Sequence, residues 1–169
     1  MAYVFETPHL GLPPIAVTQA ADQAGRVPWK LGDIVRAVDP VYGVGEFIYL
    51  KGVASTGVGT LVTYDQYLGT TTIAPATGGN GPVAAAMSAN VANQYGWYQI
   101  GGAAVVKAPN AMVPGADVFM LAATPGSVDD APVNGEQVLN AKVSTTTGTP
   151  SAGLAVIQIN RPFLQGQIV

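Results

Sequence analysis

The sequence predicts an all-β fold: a small barrel or sandwich of short antiparallel strands with an extended proline-rich N-terminal arm. Three observations predict it. Twenty-one glycines and thirteen prolines interrupt almost every segment, which disfavours long helices and suits short strands joined by turns. Roughly seven to nine short apolar runs recur at intervals of about 8 to 15 residues, the spacing of a small β domain. Runs such as "GEFIYLKGVA" (45–54) are strand-length, with side chains alternating between two usable faces.

At 169 residues and 17.2 kDa, the chain is the size of one domain. Residues 1–29 read as the arm and 30–169 as the β domain. Pro8, Pro13, Pro14 and Pro28 exclude helix interior and central strand from the arm, with Pro40 just beyond. Its apolar residues, Tyr3, Val4, Phe5, Leu10, Leu12 and Ile15, are expected to dock on the chain's own domain or on another subunit. Removing residues 1 to about 25 is expected to leave a folded domain.

Within the domain, strands are expected at 34–38, ended by Pro40, and at 45–54, 60–64 and 70–74, with a turn at 65–69 between the last two. The run "PVAAAMSANVANQYGW" is ambiguous. Alanine favours a helix at 84–92, but the run is short and has no charged face, so a small-residue strand at 83–89 fits its surroundings better. A strand at 96–106 places Trp97 and Gln99 on one face and Tyr98 and Ile100 on the other, with Gly101-Gly102 allowing a bulge. Further strands follow at 117–122, 137–145 and 154–163, the final segments extending or completing the domain.

Charged residues make up 10% of the chain, hydrophobic ones 49%, and the net charge is -3. An average soluble domain carries roughly 25% charged residues, so much of this low-charge surface is expected to be covered in an assembly. The basic residues, Arg26, Lys30, Arg36, Lys51, Lys107, Lys142 and Arg161, are scattered singly, which argues against a nucleic-acid partner. There is no cysteine, and no apolar run approaches the ~20 residues of a membrane helix. The N-terminus lacks the pattern of a secretory signal, and synthesis in a cytoplasm is the expectation.

Catalytic patterns are weak. His9 is the sole histidine, which leaves no Cys/His zinc site and no plausible Ser-His-Asp arrangement. Asp129, Asp130 and Glu136 lack the order of a calcium loop and read as a solvated loop. Asp33, Asp39, Glu46, Asp65 and Asp117 lie mostly beside turn signals, where carboxylates cap. Neither metal nor cofactor is expected, nor is enzymatic activity. The stretch "NQYGWYQIGGAAVV" (93–106) concentrates Tyr95, Trp97 and Tyr98. These rings suit a core or subunit contact, or alternatively a carbohydrate platform with Asn93, Gln94 and Gln99 as polar partners.

The proline-rich arm, the compact Gly/Ala/Thr-rich β domain and the segment "PVAAAMSANVANQYGWYQIGGAAVVKA" (82–108) resemble the capsid decoration, or cement, proteins of tailed bacteriophages. The likeness extends loosely over residues 30–125; the chain after Thr124 exceeds the smallest domains of that kind. The resemblance implies a structural protein on the outer surface of the virion, bound to the major capsid protein and most often a trimer. Tyr3, Val4 and Phe5, with Leu10 and Leu12, would then anchor the arm. Tyr95, Trp97 and Tyr98 would lie at the hub or capsid-facing contact. A tail or other virion protein, or a carbohydrate-binding β module using the aromatic cluster, are the competing expectations.

Overall fold

The computed structural model describes residues 1–7, 10–21 and 25–166. Its strands are β1 (Val4–Phe5), β2 (Gln19–Ala20), β3 (Ile34–Asp39), β4 (Gly43–Lys51), β5 (Leu61–Asp65), β6 (Thr70–Ile73), β7 (Asn80–Ala86), β8 (Gln94–Lys107), β9 (Asp117–Met120), β10 (Val128–Asp129), β11 (Gln137–Val143) and β12 (Leu154–Gln165). The alanine-rich run is therefore a strand, β7. Its backbone groups are taken up by β5 on one side and by β8 and β12 on the other.

The main path of pairing runs β1-β3-β4-β6-β5-β7-β8-β12-β11-β9-β10, with β2 added to β8 and further ladders joining β4 to β8 and β7 to β12. All strands pair antiparallel except β4 and β6, which meet in parallel at Lys51 and Thr70. That contact departs from the antiparallel expectation. The β5–β6 hairpin folds β6 back beside the end of β4, so hydrogen bonding passes through β4, β6, β5, β7 and β8 and returns to β4.

Alternation along these strands sorts apolar side chains into three clusters. Ile48 and Leu50 of β4, Val62 of β5, Ala84 and Ala86 of β7, and Tyr98 and Ile100 of β8 form the cluster inside that circuit, with Tyr64 and Ile73 against it. The opposite faces of β5 and β7 give Leu61, Val83 and Ala85 to a larger cluster, which they share with Ala104 and Val106 and with Val118, Met120, Val138, Ile157 and Leu164 from the C-terminal strands. The opposite faces of β4 and β8 give Phe47, Tyr49 and Trp97 to the third, closed by Ile15, Ala37 and Met87.

Tyr3, Phe5, Leu12, Trp29 and Leu31 also pack on this third cluster. Phe5 meets Trp97 edge-on at 6.0 Å between ring centroids, and Tyr3 meets Phe47 at 4.8 Å. The N-terminal segment thus docks on its own domain, and removing residues 1 to 25 is expected to lower the stability of the rest. Deleting them would uncover Phe47, Tyr49 and Trp97, each of which is fully buried.

The long β8 bends where β4 ends its contact with it. Pairing steps from Phe47–Gln99 to Glu46–Gly101, leaving Ile100 as the extra residue. Gly102 follows at φ +93°, where a Cβ would stand 2.3 Å from the Val44 carbonyl oxygen, so only glycine fits.

Burial raises the pKa of the Tyr3 phenol to about 12, offset in part by Gln99, and raises those of Tyr49, Tyr64 and Tyr98. A raised folded-state value gives stability that is complete below the unfolded value, about 10, and is lost as pH rises through the folded value. Asp39 behaves oppositely. Burial raises its pKa, but the N–H groups of Ala2, Val41 and Tyr42 outweigh this and hold it below its usual value, so its stabilisation is lost as pH falls through the folded value. The melting temperature is therefore expected to fall above about pH 10, more gently in Tyr3→Phe. Asp39→Ala is expected to flatten the acid limb of the same calorimetric pH series.

Candidate functional site

The eight residues expected at an interface divide between core and surface. Trp97 and Tyr98 are fully buried on opposite faces of β8. The Trp97 indole N–H donates to the Pro13 carbonyl at 2.8 Å, and the Tyr98 hydroxyl accepts from Asn90 Nδ2 at 2.9 Å. Neither ring is available to a capsid, a hub or a sugar, and the surface roles expected for them are corrected: β8 is covered on both sides at this point. Tyr95, Tyr3, Phe5 and Leu12 are half-buried against the Trp97 cluster. Val4 and Leu10 remain exposed.

The polar partners proposed for a ligand platform are also dispersed. Gln99 is buried, and its Nε2 donates to the carbonyls of Gly101 and Ala103 at 3.0 and 3.1 Å, bracing the bend of β8. Gln94 pairs with Ala20, and Asn93 occupies the preceding turn at φ 62°.

The acidic loop is more ordered than a solvated one, which corrects that expectation. Asp129 is buried in β10 and accepts from Asn110 Nδ2 at 2.6 Å, while Asp130 accepts from the Val113 amide at 2.7 Å. Buried Glu136 accepts from the Gly78 amide at 2.6 Å. These carboxylates tie separate loops together, and the pairing of β10 with β9 carries Asp129 onto the domain. Among the described residues, no group of three or more His, Cys, Asp or Glu side chains could hold a metal ion; His9 lies outside those residues. Asp39 and Asp65 cap turns: Asp39 accepts from the Val41 and Tyr42 amides and Asp65 from the Leu68 amide.

The surface features of interest are apolar, and most were missed from the sequence. In the β5–β6 turn, Tyr67 is 95% and Leu68 60% exposed. The turn beneath them is pinned by Leu68 N–H to Asp65 Oδ1 at 2.9 Å, Gly69 N–H to the Asp65 carbonyl at 2.8 Å, and Gln66 Nε2 to the Gly32 carbonyl at 3.3 Å. Its sequence signal was two large apolar residues inside a strong turn, where polar residues are the rule. Leu139 and Phe163 form a second exposed pair, directly opposite each other on β11 and β12. Val4, Val38 and Val44 form a third group, aligned across β1, β3 and β4.

Compared with models of known protein families and with curated proteins, the chain matches none.

The buried role of Trp97 is open to direct measurement by urea unfolding. Trp97→Ala is expected to cost about 3 to 5 kcal/mol, from the lost ring and the cavity it leaves. Trp97→Phe keeps much of the packing but leaves the Pro13 carbonyl without its donor, for a smaller loss of about 1 to 3 kcal/mol.

Proposed function

We propose that the protein is a non-enzymatic structural component of a virion that binds the outer surface of a phage capsid and stabilises the shell. The observation that carries this reading is the β5–β6 turn, a hydrogen-bonded platform that holds Tyr67 and Leu68 out into solvent. A large aromatic and a leucine on a rigid support lose little conformational entropy when a protein pocket takes them, which is how interface anchors work. The exposed Leu139–Phe163 pair, the low charge of the chain and the likeness of residues 82–108 to cement proteins support the same reading.

In this reading the circuit of β4, β6, β5, β7 and β8 is a small barrel, and the N-terminal segment is an arm strapped to it that offers Leu10 to a neighbouring subunit. The partner is the major capsid protein. Such binding stabilises a shell by mass action, since a ligand with affinity for the assembled lattice alone shifts the equilibrium toward it. Many weak apolar contacts repeated over the lattice suffice, without a catalytic group.

Co-sedimentation with purified capsids tests this, with electron microscopy to locate the density. The wild-type protein is expected to bind and to raise the temperature at which capsids rupture. Tyr67→Ala combined with Leu68→Ala is expected to weaken binding by about tenfold or more while the melting temperature of the free protein stays unchanged. Failure of the wild-type protein to sediment with capsids, or to appear on the outer shell, would overturn the proposal.

A further inference from the structure

We propose that the outward face of β1, β3 and β4 is a two-fold interface with a second copy of this chain. The inference stands apart from capsid binding, because it concerns the purified protein alone.

Two rows of side chains cross this face. Register places Val4 opposite Val38 and Val38 opposite Val44, with exposures of 65, 41 and 42%. Val41, at the tip of the β3–β4 hairpin, extends the apolar area. Two residues along the strands, about 7 Å away, lies a charged row. Glu6 pairs with Arg36 at 3.6 Å, Arg36 stands opposite Glu46, and Glu46 pairs with Arg161 at 3.3 Å. Gly101 lies between β4 and β12 in this row, and a Cβ there would press on the Glu46 side chain at 3.3 Å. Its bareness lets Arg161 reach across β8.

The order of charge is therefore negative, positive, negative, positive. Consider a two-fold axis in the plane of contact, parallel to the strands and passing between β3 and β4. It lays the face on its own copy with the strand order reversed and position along the strands unchanged. β1 of one copy then lies over β8 of the other, where the Arg161 side chain reaches toward Glu46, so that Glu6 meets Arg161, Arg36 meets Glu46, and Val38 covers Val44. Every charge meets its opposite, which is the self-complementarity an isologous contact requires. Exposed ion pairs contribute little energy by themselves. Here the valines supply the apolar burial, and the charges select the partner and its register.

Two charge reversals provide the test. Arg36→Glu sets like charges against Glu46 of an identical copy, and Glu46→Arg does the same against Arg36. In a mixed dimer of the two variants every facing pair is again opposite in sign. By sedimentation velocity over a concentration series, the wild-type protein is expected to dimerise. Each variant alone is expected to dimerise about a hundredfold more weakly, and an equimolar mixture is expected to recover the dimer. A wild-type monomer at all concentrations, a trimer, or folded variants that fail to recover on mixing would overturn the proposal. Should a charge variant fail to fold, Val38→Asp at its exposed site decides: a dimer of wild-type strength overturns the proposal, and its loss supports it.

Discussion

The ladder between β4 and β8 is buried on both faces, and the rest of the molecule is arranged to keep it so. Five consecutive pairs, from Phe47 opposite Gln99 to Lys51 opposite Tyr95, with the Glu46–Gly101 pair beyond the bulge, put aromatic side chains on either side of a single hydrogen-bonded sheet. One face is closed by β5, β6 and β7, which come round to enclose Tyr98 and Ile100. The other has no sheet of its own to pack on. It is closed by chain from the N-terminal region, which brings Tyr3, Phe5, Leu12 and Ile15 over Phe47, Tyr49 and Trp97.

Hydrogen bonds to that segment make the cover specific as well as apolar. The Trp97 indole would be a costly orphan donor in this position, and the Pro13 carbonyl removes that cost while fixing where the segment crosses. Asp39 does comparable work at the other end: it binds the Ala2 amide as well as its own hairpin turn. A few buried polar atoms are less well served. Among the described residues, the Tyr49 hydroxyl and Gln99 Oε1 have no hydrogen-bond partner, and both belong to residues of the ladder itself.

Strand positions were legible in the sequence because glycine and proline bracket each run. The nine anticipated runs all coincide with strands, within a few residues at the ends. The two-residue strands β1, β2 and β10 were not legible, since each is held only by its neighbour. Periodicity placed Trp97 and Tyr98 on opposite faces correctly. It gave no sign that both faces are covered, because an interface aromatic and a core aromatic have the same local pattern, and what buries Trp97 arrives from over eighty residues away. The buried carboxylates were hidden for the same reason: the partners of Asp129 and Glu136 are Asn110 and Gly78. Tyr67 and Leu68 were overlooked because turn chemistry accounted for the segment without asking why those two residues occupy it.

The distance along the chain between the N-terminal cover and what it covers bears on the order of folding. Tyr3 reaches the Ala103 carbonyl, and Pro13 holds Trp97, across separations of 100 and 84 residues. During synthesis, Tyr3, Phe5 and Ile15 leave the ribosome well before their partners on β8 exist, and until then β1 has only β3 to pair with and β4 to pack on. The aromatic face of β4 is likewise incomplete until β8 sets Trp97 beside Tyr49. This domain therefore closes late, by contacts of high sequence separation that are slow to form, and the nascent chain carries an uncovered aromatic surface for much of its assembly.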